Sequence, residues 1–556
     1  MSSEITVGQA LIRLLEAYDV DTVFGIPGVH TAELYRGLAG SSIRHVTPPR
    51  DEQDAGFMAD GYARVSGKPG VCLLITGPGL TNAITPPMAQ ARADSIPMLV
   101  ISGVNARHTL GQYKGHLHEL PDQAATMRTI ALSSERLEQP GDLAELVGRA
   151  FARMKSGRPG PVHIEIPTDL MEAPFEGNLR KSPATASATA VDSNVGKIKA
   201  AATLCAEARR PLILAGGGGA NRAGDAVSTL SQMLDAPVVT TTNARGLLGR
   251  HPLAVQASPS LPPIRQLIAD ADLVIAIGTQ FGPTDYDMYV DGGFEPPARM
   301  IRIDIDPDAE ATSAPAGLMI VGDAAPITAE LISALQLLPQ APREDGKERA
   351  TAAKAAAYDF LSPKMQALTG VLDTIRDALP GSIIVGDSTQ LAYAGNLFFE
   401  ADGTRSWFNA STGYGALGFG PPPAAVGASL AQADTPVVCL VGDGGFQFCL
   451  GTLGTAADEK APVIFVVWNN HGYQEIEDYM LSRGGIEPVG VRPTPPDFLK
   501  LAQAYGIPGG EHIRLTNQHN QDALHPGALD LAQLAGALHR AQAVEGGPAL
   551  IEITTP

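Results

Sequence analysis

The chain has 556 residues, of which 44% are apolar and 18% charged, with a net charge of −19. That length suggests about three or four domains at roughly 150 residues each, and this composition excludes a disordered chain. The negative charge argues against nucleic acid or an anionic membrane as partner. No run approaches the roughly 20 apolar residues of a membrane span, and the start, Met1-Ser2-Ser3-Glu4, lacks a signal-peptide pattern. The four cysteines are scattered without a CxxC pair, which fits buried thiols and a cytoplasmic location better than disulfides or zinc.

Short apolar runs ending in Gly, Pro, Asp or Asn alternate with helical patterns, the signature of parallel α/β units. Strands are predicted at Asp21–Ile26, Val71–Thr76, Met98–Ser102 and Val162–Ile166 in the first third. The middle block has Leu212–Ala215, Val238–Thr242, Leu273–Gly278 and Met300–Ile305. The last has Ile383–Gly386, Val437–Val441, Val463–Trp468 and Ala549–Ile553. Glu176 to Asn194 is rich in Ser, Ala, Thr and Pro and reads as a linker; Leu338 to Lys354, charged and Pro/Ala-rich, reads as a second. The expected architecture is α/β, three doubly wound parallel-sheet domains at residues 1–175, 193–338 and 355–556.

Two segments of the last block carry the strongest chemical signal. One strand runs into Gly442-Asp443-Gly444-Gly445, and the next runs into Asn469-Asn470-His471-Gly472-Tyr473, with Asn470 lying 27 positions beyond Asp443. Neighbouring parallel strands bring such turns to one carboxyl edge, where open α/β sheets bind ligands. An aspartate, an asparagine oxygen and a backbone carbonyl are hard ligands that suit a Mg²⁺ sharing phosphate oxygens and water. The glycines admit phosphate close to backbone N–H groups.

This pattern resembles the diphosphate and metal motif of thiamine-diphosphate enzymes. The likeness extends along the chain through Phe24-Gly25-Ile26-Pro27-Gly28, Arg50-Asp51-Glu52-Gln53, Ala59-Asp60-Gly61-Tyr62-Ala63-Arg64, Thr76-Gly77-Pro78-Gly79 and Thr81-Asn82. The order of domains is similar to the pyrimidine-binding, central and diphosphate-binding domains of the acetolactate synthase and 2-oxo acid decarboxylase branch. Val29-His30-Thr31, Glu33-Leu34-Tyr35 and His471-Gly472-Tyr473 are similar to decarboxylases of 5-guanidino-2-oxopentanoate.

The resemblance implies thiamine diphosphate and Mg²⁺, with Asp443, Asn470 and the Gly472 carbonyl as metal ligands. Glu52 takes the place of the carboxylate at N1′ of the aminopyrimidine, which favours the tautomer able to remove the cofactor's C2 proton. The Gly415 carbonyl would accept from the 4′-amino group, and Leu417 would wedge between the two rings. Ser388, Thr389, Gly444, Gly445 and Tyr473 would line the diphosphate, although a plain helix cap serves equally for Ser388 and Thr389. Asp51 stands where this family usually has His and reads as a surface replacement. His118 (with His116), Gln123 and Glu475 are candidate catalytic residues facing substrate. A loop histidine without duty, and an exposed residue in an acidic helix, are the alternatives. Asp122 and Glu475 depart from the synthase pattern. Gly216-Gly217-Gly218-Gly219 and Gly278-Thr279-Gln280-Phe281 leave FAD or ADP in the central domain open.

The expected reaction is decarboxylation of a 2-oxo acid to CO₂ and an aldehyde. The alternatives are acetolactate synthase-type carboligation and a flavin-linked oxidase. Because Glu52 and Asp443 fall in different domains, the resemblance implies a homodimer or homotetramer with the active site between subunits. A nicotinamide-dependent dehydrogenase fails on spacing, since Gly25 to Gly28 supplies no G-x-G-x-x-G. An intact Glu52 argues against a purely regulatory subunit.

Overall fold

The computed structural model describes residues 5–47, 50–182, 194–289, 291–507, 510–514, 530–544 and 546–554. Most of the first predicted linker (183–193) lies outside the described residues. Three parallel sheets follow one another along the chain. The first contains β1 (Thr22–Val23), β2 (Arg44–His45), β3 (Gly70–Leu74), β4 (Met98–Val104), β5 (Ser134–Arg136) and β6 (Pro161–Pro167). Its main order is β3-β4-β6-β5, with β1 joined to β3 through a Phe24–Cys72 bridge and paired to β2.

The middle sheet contains β7 (Pro211–Ala215), β8 (Val238–Thr240), β9 (Ala254–Val255), β10 (Leu273–Ile277), β11 (Met300–Asp304) and β12 (Leu318–Val321), in the order β12-β11-β10-β7-β8-β9. The last contains β13 (Ile383–Gly386), β14 (Trp407–Asn409), β15 (Val437–Gly442), β16 (Val463–Asn469), β17 (Gly510–Arg514) and β18 (Ala549–Thr554), in the order β14-β13-β15-β16-β18-β17. The central strands such as β4, β7, β10, β15 and β16 read as continuous apolar runs because helices cover both faces. Every residue from Val463 to Asn469 is buried, and each fully buried Val, Ile or Phe contributes about 1.5–3 kcal/mol.

The helices that matter to the site are α1 (Glu52–Ser66), α2 (Gly217–Leu234), α3 (Gly346–Phe360), α4 (Gln390–Leu397), α5 (Pro421–Ala431), α6 (Asp443–Phe446) and α7 (Gln474–Ser482). α1 and α5 meet backbone to backbone. A Cβ on Gly61 would overlap the Ala424 carbonyl, and one on Gly427 would overlap the Met58 carbonyl. Only glycine permits that approach, and it fuses the first and last sheets' helices into one core that runs from Phe24 and Met58 to Val441 and Phe465. Across the same seam the buried Asp54 carboxylate accepts from Thr452 Oγ1 at 2.8 Å, and burial pushes its pKa up to about 7.

One expectation is corrected. Half of the second predicted linker forms α3, whose Ala350, Ala353 and Ala357 are buried against Ile264, Leu267 and Val255 of the middle domain. Alanine is the best helix former, so an Ala-rich stretch with a buried stripe is helix before it is linker. No described helix is long and apolar enough to cross a membrane.

Candidate active site

In the last sheet the chain leaves β13 towards β14 on one side and places β15 on the other. That switch point opens a crevice at the carboxyl ends of β13 and β15. Gly386-Asp387-Ser388-Thr389 lines one wall and Gly442-Asp443-Gly444-Gly445 the other. Gly445 packs directly on the Asp387 carboxylate, leaving no space for a side chain, and Gly444 is covered by the Tyr473 ring. Thr389 caps α4, accepting from the Ala392 N–H at 3.3 Å, while its methyl faces Gly442. Ser388 stands beside the Tyr393 phenol, whose pKa burial raises.

The next strand delivers the other oxygens. Gly442 of β15 pairs with Trp468 of β16, so Asn470 arrives beside Asp443. The two asparagines divide the work. Asn469 braces the turn, donating to Glu552 at 2.7 Å and accepting from the His471 N–H at 3.1 Å. The Asn470 amide points inward, one of its terminal atoms 2.9 Å from the Gly472 carbonyl oxygen and 3.2 Å from Asp443 Oδ1. Gly472 adopts φ +151°, and a Cβ there would overlap the Val491 carbonyl. Asp443 is 1% exposed, its Oδ2 has no hydrogen-bond partner, and burial raises its pKa. A carboxylate, an amide and a carbonyl converge with one carboxylate oxygen orphaned. With the amide oxygen turned inward, this donor set fits a small hard cation, which would satisfy the buried charge.

The segment Gly413–Gly418 overhangs this edge. Positive φ at Gly413 (+64°), Gly415 (+74°) and Gly418 (+76°) gives it a shape that side chains resist. The Gly418 N–H donates to Asp387 at 2.8 Å, and the Gly415 carbonyl accepts from the Leu417 N–H at 2.8 Å. Leu417 and Tyr414 are left 46% and 51% exposed, an unusual disposition for large apolar groups beside a buried charge.

Glu52, Gln123 and His118 gather separately, around the turn Thr76–Gly79 in the first domain. Glu52 opens α1; its carboxylate accepts from Asn82 Nδ2 at 3.1 Å and lies against Gly79. Asp51, the departure from the family pattern, is the N-cap of α1 and accepts from the N–H groups of Gln53 and Asp54. Gln123 is buried with both ends of its amide engaged. It accepts from the Gly77 N–H at 3.1 Å and donates to the Gly103 carbonyl and Glu165 at 3.0 and 2.9 Å. His118, at φ +60°, packs on Gly77 and edge-on against His30 with ring centroids 5.4 Å apart. Burial, then the neighbouring His118, lowers the pKa of His30. Glu119 orders this loop by accepting from the N–H groups of Tyr113, Gly115 and His116. A cavity of about 270 Å³ opens beside Thr76, Asn105, Glu119 and Gln123. Among the described residues no hydrogen bond joins Glu52 to the Asp443 edge.

Glu475 sits in the first turn of α7, two residues beyond Tyr473. Its Oε1 is shut from solvent and takes no hydrogen bond; Lys364 Nζ stands 3.8 Å away and is also 3.7 Å from Asp478 Oδ2. Lys364, Gln90 and Asp94 were not foreseen from sequence; they come from distant segments, and no local spacing announces them. Asp387 lies in the foreseen Gly386–Thr389 turn, but its bond to the Gly418 N–H was not foreseen.

Fold and edge together define an α/β protein of three parallel-sheet domains, with a glycine-lined, oxygen-rich crevice suited to a diphosphate and a cation. Comparison with known proteins names the family. Residues 5–126 match the thiamine pyrophosphate enzyme N-terminal TPP binding domain, 198–331 the central domain and 387–553 the C-terminal TPP binding domain. A probable 2-ketoarginine decarboxylase AruI of Pseudomonas aeruginosa is 46% identical over 510 residues, covering 90% of this chain and 88% of that protein. A probable acetolactate synthase large subunit of Methanococcus aeolicus is 32% identical over 544 residues, 92% and 88% of the two chains. The acetolactate synthase isozyme 3 large subunit of Escherichia coli is 30% identical over 549 residues, 94% and 92%. The chain belongs to the thiamine pyrophosphate enzyme family.

Proposed function

We propose that this enzyme is a thiamine-diphosphate- and Mg²⁺-dependent decarboxylase of a 2-oxo acid with a cationic tail, 5-guanidino-2-oxopentanoate being the first choice. The observation that carries the reading is the meeting of Asp443, Asn470 and the Gly472 carbonyl at the crevice edge, with the orphaned Asp443 Oδ2 among them. Those three groups would hold Mg²⁺. Ser388, Thr389, Gly444, Gly445 and Tyr473 would border the diphosphate, and Gly415 and Leu417 the aminopyrimidine. When bound, thiamine diphosphate supplies the electron sink that lets a 2-oxo acid lose CO₂. Glu52 would hold the pyrimidine nitrogen from the first domain of a second copy. The exposed Tyr414, Leu417, Phe448 and Ile476 on the last domain support burial against a neighbour, hence a homodimer or homotetramer.

Gln123, its amide fully engaged, would act by holding the Gly77 backbone; His118 would face the substrate from the same turn. Glu475 supports the cationic tail. Its unfulfilled Oε1 beside the crevice is a partner for a guanidinium, with Lys364 the charge to be displaced. The division at residues 1–175, 193–338 and 355–556 is kept as the working map of domains, with α3 packed on the middle one. In the middle sheet the turns that follow β7 and β10 press against each other. The Gly218 N–H at the start of α2 is spent on the Gly278 carbonyl at 3.2 Å, and Gly216 abuts the same carbonyl. That supports an enzyme without FAD or ADP, and a flavin band in the absorbance of purified protein would refute it.

The test is a panel of 2-oxo acids, including pyruvate and 5-guanidino-2-oxopentanoate, with products read by mass spectrometry. CO₂ and an aldehyde are expected, with Glu52→Gln nearly inactive. Formation of an acetohydroxy acid from pyruvate would move the assignment to carboligation, the reaction class named for the relatives at 30–32% identity.

A further inference from the structure

We propose that Gln90 is a positioning residue for the aminopyrimidine end of the cofactor site, and that Asp94 ties it to Asn243 of the middle domain. The proposal rests on the preceding assignment of Gly415 and Leu417. Gln90 comes from the first domain, is 2% exposed, and straddles Gly415 with a single amide. Its Nε2 donates to the Thr412 carbonyl at 3.2 Å, and its Oε1 accepts from the Ala416 N–H at 3.2 Å. The segment between carries two left-handed glycines, Gly413 and Gly415, and its backbone bonds are few: Gly415 N–H to the Thr412 carbonyl at 3.2 Å and, from just beyond Ala416, Leu417 N–H to the Gly415 carbonyl at 2.8 Å. A side chain gripping the backbone on both sides of Gly415 sets the direction in which that residue's carbonyl points.

The grip has one polarity. Nε2 also donates to Asp94 Oδ2 at 2.7 Å, and a carboxylate accepts only, so the nitrogen faces Asp94 and the oxygen is left for Ala416. Asp94 is itself fixed by Arg64 at 2.8 Å and by Asn243 Nδ2 at 3.2 Å, while Gly413 packs against its Oδ1. Arg64 is held in turn by Asp60 at 2.6 Å, and the Asp60 and Asp94 side chains are 4% and 3% exposed. Three domains therefore meet at one buried carboxylate, one residue removed from the segment that would face the pyrimidine. Buried networks of this kind act as a unit.

A mere brace and a positioning residue differ in what they disturb. In calorimetric titrations of the full-length chain freed of cofactor and supplied with Mg²⁺, Gln90→Met keeps the length and removes both backbone bonds. Its Kd for thiamine diphosphate should rise about ten- to hundredfold, while its Kd for inorganic pyrophosphate, which engages the diphosphate end alone, stays at the wild-type value. Asn243→Ala, outside the crevice, should show the same selective loss at about two- to fivefold. Unchanged thiamine diphosphate binding in folded Gln90→Met, or equal weakening of both ligands, overturns the proposal. If Gln90→Met fails to fold, Asn243→Ala decides alone by the same comparison. A wild-type chain that binds no thiamine diphosphate would instead sink the assignment of the site beneath it.

Discussion

Acidification should loosen the first domain through one residue, His163. Its ring is fully buried on β6, with Ser102 Oγ 2.9 Å from Nε2 and Ser134 Oγ 2.8 Å from Nδ1. Burial lowers its pKa to about 3, against about 6.5 in the unfolded chain. The native state thus favours the neutral ring, and its contribution is fully present above about pH 6.5 and lost as pH falls from there towards 3. Each unit of difference is about 1.36 kcal/mol, so the loss is about 2 kcal/mol at pH 5 and about 4 kcal/mol at pH 3. The strain has a route to the site, because Gln123 Nε2 reaches Ser102 Oγ at 3.3 Å while its Oε1 holds Gly77. His163→Gln keeps a polar group that does not titrate. It should cost about 1–2 kcal/mol at neutral pH for the lost bond, yet lose about 2 kcal/mol less than wild type between about pH 7.5 and pH 5. Hydrogen exchange of β4 and β6, corrected for intrinsic rates, measures this directly. Equal pH slopes in wild type and variant would refute the reasoning.

Other perturbations probe different links. Asp443→Asn should lose metal-dependent cofactor affinity by at least about a hundredfold, since a neutral amide cannot complete the anionic ligand set; calorimetry with and without Mg²⁺ reads it, and retained metal dependence would contradict it. Gly427→Val drives a branched side chain into the Met58 carbonyl at the α1–α5 seam; we expect about 3 kcal/mol or more of destabilisation, seen as insoluble protein or a large fall in Tm. Glu475→Gln should reduce kcat/KM for 5-guanidino-2-oxopentanoate about tenfold or more relative to its neutral ureido isostere. An unchanged ratio removes Glu475 from tail recognition while leaving the decarboxylase reading intact.

How much of this was readable from the chain follows from where each bond is made. All twelve predicted strands have a counterpart, most of them because they are apolar runs buried on both faces, a pattern that needs no knowledge of neighbours; Asp21–Ile26 shrinks to Thr22–Val23, and β6 and β11 bury His163, Glu165 and Arg302 among their apolar residues. The strands not foreseen, such as Ser134–Arg136, Trp407–Asn409 and Gly510–Arg514, are short and lie at sheet edges. There the run is too brief or too polar to stand out. Asp51 was readable as a departure but not as the α1 cap, because capping depends on where the helix begins.

The same logic separates the two ends of the crevice. In the proposed site, diphosphate and metal would be met by backbone groups, glycines and residues at the ends of adjacent strands. Their geometry is written into local spacing, as Asp443, Asn470 and Gly472 illustrate. What aims those groups is written nowhere locally. Gln90 and Ala416 stand 326 positions apart, Arg64 and Asp94 are 30 apart, and Asn243 enters from another domain. Each such residue on its own reads as an unremarkable polar side chain. Only the packing of α1 on α5, forced by Gly61 and Gly427, brings the first domain's carboxylates under the last domain's glycine segment. A side chain's task in this enzyme is therefore set by the helix seam that carries it, so disturbing the seam should harm cofactor binding before any residue that touches the cofactor is changed.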